Sequence, residues 1–156
     1  MMEFAFFQMR LEERSFKRKR SMKAFVSNLR EIGKLLSATG QLAMSLYDNA
    51  TPEQRISMSF VPLVNPNGSH LITVSTCSFV VLKGNANQLL TLYTKARELG
   101  LLSAIFTSTM SFKGIEEDLI FKTANTPLDQ VEPYGVSLFG QIEELNPLTK
   151  KFSVFK

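Results

Sequence analysis

Residues 78–107 constrain the fold more than any other part of the chain. The run SFVVLK is apolar and β-branched, and Asn85 follows it as a candidate helix N-cap. Within 86–99, ANQLLTLYTKAREL, the residues Leu89, Leu92, Ala96 and Leu99 recur at helical spacing. Gly100 can supply a left-handed C-terminal cap, and LLSAIFT at 101–107 resumes at once as a buried strand. A strand–helix–strand unit with such short connections implies a right-handed crossover joining parallel strands.

The remaining segments extend that pattern. MKAFVSN at 22–28 has strand composition, and GKLLSATGQLAMSLY at 33–47 predicts a helix from about Lys34 to Tyr47 with Leu35, Ala38, Leu42 and Leu46 along one stripe. Ser37, Ala38, Thr39, Gly40 and Ala43 make that helix thin. Gly40 costs about 1 kcal/mol of helix propensity relative to alanine, which close approach to a sheet or a partner helix would offset. A strand is expected around ISMSFVPLV (56–64), a turn at Asn65-Pro66-Asn67-Gly68, and then the longest β-rich run, 71–83. A short helix from about Ile115 to Thr123 must end before Pro127; YGVSLFGQ (134–141) reads as a strand, GQIEELNPL as a short helix or turn, and KFSVF (151–155) as a terminal strand. About five strands interleaved with helices, in 156 residues of which 44% are apolar, predict a three-layer α/β single domain around one core.

Charge divides the chain in two. Residues 1–23 carry seven basic and three acidic side chains, whereas residues 24–156 carry eleven of each. Residues 1–21 are therefore read as a basic N-terminal arm or extension, and 22–156 as the domain. Lys17, Arg18, Lys19 and Arg20 form the one cluster that could bind RNA phosphates by counterion release; a solvated arm is the alternative. Phe4, Phe6 and Phe7 in the same arm could pack onto a partner subunit or onto their own domain. The single cysteine, Cys77, rules out an intrachain disulfide framework and reads as a buried structural thiol within LITVSTCSFVVL. No run reaches the roughly 18 apolar residues of a spanning helix. The apolar MMEFAFFQM precedes the basic cluster, the reverse of a secretory signal. The expectation is a cytoplasmic protein with no membrane association.

Several polar residues are candidates for a site. His70, the sole histidine, sits just past the turn and could act as a general base or contact a ligand, or be an exposed turn residue. One histidine does not build a zinc site without carboxylates from elsewhere, so no metal and no cofactor are expected. Gln41 offers donor and acceptor together, for a ligand or for a backbone group. Thr107, Ser108, Thr109 and Ser111 look like a polar strand end, where open α/β sheets bind ligands, or like a loop capping the next helix. Glu116, Glu117 and Asp118 stand where acids favour a helix N-terminus, so a structural role is read there.

The order of segments resembles the peptidyl-tRNA hydrolase II superfamily, and within it the uncharacterised bacterial branch called domain of unknown function 2000. TGQLAMSL at 39–46, NGSH at 67–70, ARELGLLSAIFT at 96–107, TPLDQVEPYGVSLFGQ at 126–141 and LNPLTKKF at 145–152 carry the resemblance, which covers about 22–156. It implies a peptidyl-tRNA hydrolase II-like mixed sheet of four to five strands flanked by helices, often assembled as a homodimer. In hydrolases of this type the helix reads like GKMAAQAAH, so the Gly-Lys matches Gly33-Lys34 while the glutamine falls on Ala38 and the histidine on Gln41. The family's acidic residue falls on Ser108 and its threonine on about Gly135. The uncharacterised branch also tends to place a histidine at His70.

Lys34 alone could bind a phosphate or stabilise negative charge, but ester hydrolysis also needs a positioned water and proton-transferring groups. The depleted constellation argues against the superfamily's reaction. Two functions from different classes fit these residues. The first is a binding module for a small molecule or protein, with Lys34, Gln41, Thr107 and Ser108 as ligand contacts and His70 beside them. The alternative is a hydrolase of peptidyl-tRNA or a related acyl ester, with Lys34, Gln41 and His70 as catalytic candidates.

Overall fold

The computed structural model describes residues 21–27, 31–110 and 116–155. The basic cluster at 17–20 and the phenylalanines of the arm lie outside them, as does Ser111. In chain order the elements are β1 (Ser21–Ser27), α1 (Ile32–Asp48), α2 (Pro52–Ser57), β2 (Phe60–Val64), β3 (His70–Ser75), β4 (Ser78–Lys83), α3 (Ala86–Glu98), β5 (Leu102–Thr107), α4 (Glu116–Asn125), β6 (Pro133–Gln141), α5 (Ile142–Thr149) and β7 (Ser153–Val154). Five strands form one mixed sheet in the order β5-β6-β1-β4-β7, and β2 pairs with β3 in a separate hairpin.

Directions within the sheet follow from the pairings. β1 runs parallel to β4, while β6 is antiparallel to both β1 and β5. Two antiparallel steps leave β5 parallel to β1 and β4, so α3 joins parallel strands across the two that lie between them. The capping expected of α3 is present in full. The Asn85 side chain accepts from Gln88 N at 3.0 Å, Gln88 Oε1 accepts from Asn85 N at 2.9 Å, and Gly100 has φ +67°. Leu89, Leu92 and Ala96 are buried, but Leu99, expected on the same stripe, is 64% exposed. The helix stops at Glu98, and the turn through Gly100 carries Leu99 off the packed face.

The central strands β1 and β6 are covered on both sides, as alternation of their side chains requires. Val26, Val136 and Leu138 pack with Leu89, Leu92 and Ala96 of α3 and Leu145 of α5. On the other face Phe25 packs with Leu35, Ala38 and Leu42 of α1. All four residues of the expected α1 stripe are buried, each large one worth about 1.5–3 kcal/mol of burial. Gly135 permits this close approach. A Cβ there would lie 2.9 Å from Phe25 Cε2 and 3.1 Å from Leu42 Cδ1. Gly40, by contrast, has open space where a Cβ would be, so no sheet or helix of the described residues offsets its cost.

Two segments depart from the sequence expectation. The strand around 56–64 is shortened because residues 52–57 are helical. Thr51-Pro52-Glu53-Gln54 forms a capping box with proline in the first turn, a start signal that overrides the β-composition of ISM. The β-rich run 71–83 is also broken, at Thr76-Cys77, so that its first half pairs with β2 and its second half with β1. Ser75 fixes the break: its Oγ donates to the Met58 carbonyl and accepts from Lys23 Nζ at 2.7 Å. The turn is a loop over 65–69, in which Asn65 Oδ1 accepts from the amides of Asn67 and Ser69 and Gly68 has φ +78°. Cys77 is half-buried, its thiol donating to the Ser57 and Met58 carbonyls. Among the described residues no helix is long and apolar enough to cross a membrane.

Candidate functional site

The residues of α1 carry two parallel stripes. The buried stripe is Leu35, Ala38, Leu42 and Leu46; one residue ahead of each lie Lys34, Ser37, Gln41 and Ser45, on the adjoining flank about 100° round the helix. Burial of the first stripe against the sheet therefore fixes the second along the wall of a cleft of about 620 Å³. Leu42, Ile105, Phe106, Met110 and Leu119 make its apolar surface, contributed by α1, β5, the turn after β5 and α4. Tyr134, at the start of β6, lines it as well, with its ring centroid 6.4 Å from that of Phe106. The Tyr134 backbone is held by Ser27, whose hydroxyl donates to its carbonyl at 2.7 Å.

Lys34 and Gln41 thus meet in one cleft, as the sequence suggested, about 10 Å apart along the helix axis at 1.5 Å per residue. Lys34 is 62% exposed, and its Nζ lies 3.0 Å from Glu31 Oε1. That hydrogen bond and the charge of the carboxylate, with a smaller contribution from Tyr134, raise the ammonium above its ordinary value, so it stays cationic at neutral pH. Its position in the first helical turn opposes the helix dipole, and the same turn holds no acidic residue. Among the described residues, the Ser37 hydroxyl, the Gln41 amide and the Tyr134 hydroxyl have no hydrogen-bond partner. The arrangement can hold a ligand by one cationic contact, several neutral donors and acceptors, and an apolar bed.

The other residues singled out in the sequence are placed elsewhere. His70 is exposed on β3, in the separate hairpin, with Nε2 3.0 Å from Thr73 Oγ1. It does not line the cleft. Thr107 is buried, its Oγ1 2.9 Å from Thr109 Oγ1, which in turn accepts from Thr123 at 3.3 Å. Ser108 exchanges hydrogen bonds with the Glu132 backbone, donating from N at 2.8 Å and accepting at Oγ at 3.3 Å. These hydroxyls tie the end of β5 to α4 and to the entry of β6. Gly135 supplies space for α1 and no polar group. Among the described residues no group of three or more histidines, cysteines and carboxylates could hold a metal ion. Sequence reasoning passed over Ser37, Ser45 and Tyr134. The serines were legible in the 3-4-4 spacing they share with the buried stripe, whereas Tyr134 carries no such signal.

A mixed five-stranded sheet covered by helices on both faces, with a cleft between one helix and the sheet end, defines a single α/β domain. The chain belongs to the protein family of unknown function DUF2000, whose model matches residues 24–156. Its fold is similar to that of a protein of unknown function from Agrobacterium tumefaciens str. C58, with a TM-score of 0.73 over 88% of this chain and 98% of that one. At 14% identity that likeness concerns the fold alone. No curated protein matches the chain.

Proposed function

We propose that the protein is a small-molecule binding module on a peptidyl-tRNA hydrolase II-like fold, with the α1 cleft as its ligand site and without the superfamily's hydrolase activity. One observation carries this: Lys34, Ser37, Gln41 and Tyr134 converge on a cleft with an apolar bed. The cleft's described lining contains no histidine and no carboxylate, so ester hydrolysis there would rest on Lys34 and Tyr134. The Gly33-Lys34 helix and the order of motifs support the superfamily fold. We place the protein in the cytoplasm, as a homodimer. Among the described residues β5 is an edge strand, and this supports the latter, since Leu102–Thr107 holds no charged residue and no proline to discourage pairing.

A turnover assay on peptidyl-tRNA, run beside a fragment screen by protein NMR, tests the proposal. Fragments should shift the resonances of Ser37, Gln41 and Tyr134, and peptide release should be equal with and without Lys34→Ala. Robust release that depends on Lys34 would establish the hydrolase instead.

A further inference from the structure

We infer, building on the α1 cleft as the ligand site, that its ligand is an organic anion with a single anionic head. The head lies against Lys34, polar groups of the ligand meet Ser37 and Gln41, and its apolar part sits on Leu42, Phe106 and Met110. Charge sets the first part. Lys34 is the one charged residue among the described lining of the cleft, which suits one anionic group and not the run of phosphates of a nucleic acid or a nucleoside triphosphate. Its present partner, Glu31, is an exposed carboxylate outside the cleft at 3.0 Å. An incoming anion takes its place at little cost, because an exposed ion pair of this kind is weak.

Geometry sets the rest. Ser37 stands one turn from Lys34, and Gln41 about 10 Å from it along the axis. Phe106, at the carboxyl end of β5, stands two residues beyond the level at which Ser137 meets the Leu42 carbonyl, so a ligand anchored at Lys34 meets apolar surface beside Ser37, with Gln41 further along the helix. Phe106 and Met110 share this apolar lining with Leu42. A cleft of about 620 Å³ is of the size that encloses a small organic molecule. A carboxylate and a phosphate monoester share the chemistry required of the head.

The test uses four probes of equal tail length with the full chain: N-hexanoylglycine, hexyl phosphate, the neutral N-hexanoylglycinamide and hexyltrimethylammonium. Titrations followed by NMR should show one or both anions shifting Ser37, Gln41 and Phe106, with the tighter anion identifying the head. The amide should bind about two- to fivefold more weakly and the cation not at all. Lys34→Met should weaken the anions by about two- to fivefold and leave the amide unchanged, Lys34→Arg should retain most of the affinity, and Glu31→Gln should tighten the anions by removing their competitor. If the amide binds as well as the acid and Lys34→Met changes nothing, anion selection is overturned while the cleft remains a binding site. If none of the four probes shifts the cleft, the inference and the proposed site fall together.

Discussion

Replacing Gly40 with alanine should stabilise the protein, and the amount can be worked from the helix that contains it. Gly40 sits mid-way along the 17-residue α1, with negative φ and nothing within 4 Å of where a Cβ would lie. The methyl group therefore meets no neighbour, and the change removes backbone freedom from the unfolded chain at no cost to the folded one. The gain is about 0.5–1 kcal/mol. At about 2.1 cal/mol/K of unfolding entropy per residue, a domain of this length has about 0.3 kcal/mol/K at the midpoint, so Tm should rise by about 1.5–3 °C. Differential scanning calorimetry of wild type and Gly40→Ala reads this directly, with sedimentation velocity as the companion measurement. A fall in Tm would refute the reasoning for the isolated chain. A fall accompanied by a loss of mass would show that a second copy packs against Gly40, at the exposed flank formed by Leu36, Met44 and Tyr47.

Gly135→Ala should do the opposite, costing about 1–3 kcal/mol by urea denaturation, because its methyl group would lie 2.9 Å from a Phe25 ring carbon in a packed core. An unchanged midpoint would show that α1 is not seated on β6 as described. Lys23→Met should loosen the hairpin, raising amide exchange across β2 and β3, since Lys23 Nζ donates to Ser75 and lies 5.0 Å from the centroid of the Phe60 ring. Burial lowers the Lys23 ammonium below its ordinary value, so the folded chain holds this proton less tightly than the unfolded one. Wild-type stability relative to Lys23→Met should therefore rise with pH through the alkaline window below about 10.4, and a fall there would contradict the assignment. The raised Lys34 ammonium stays charged until pH exceeds the ordinary lysine range, so affinity for N-hexanoylglycine should be flat from about pH 6 to about 10 and decline above it. A decline that begins near neutral pH would contradict the assignment of the anion contact to Lys34.

Periodicity made most of the fold legible. The stripes of α1 and α3 and the strand character of β1, β4, β5 and β6 follow from spacing that burial on a sheet demands. The hairpin was legible only in part, because its boundaries depend on contacts between distant residues. Nothing local to Ser75 announces that its hydroxyl will bridge Lys23, 52 residues away, and the Met58 carbonyl. β-propensity gave one run from 71 to 83, and tertiary pairing divided it between two sheets. Helix-capping chemistry at Thr51 was legible in principle, since a capping box with a proline in the first turn outweighs a few β-branched residues.

The site was half visible for a related reason. Lys34 and Gln41 are seven residues apart, and a helix turns seven residues into the same flank, so their convergence needed no tertiary information. Thr107 and Ser108 lie at the carboxyl end of β5, where the general rule for open sheets puts ligands. The Thr107 hydroxyl is instead hydrogen-bonded to that of Thr109, and the Ser108 hydroxyl accepts from the Glu132 amide. Position at a strand end does not decide whether a hydroxyl faces a ligand; the partners it already has do. By that criterion Ser37, Gln41 and Tyr134 stand apart, because each presents a polar group to the cleft with no partner among the described residues. Their register is inherited from Leu35, Ala38 and Leu42, whose burial is required for folding. The scaffold therefore aims this polar flank whether or not Lys34 is retained. The same logic explains why Lys34 can be exchanged in the binding test without loss of the fold: its exposed side chain contributes its charge to the cleft and nothing to the core.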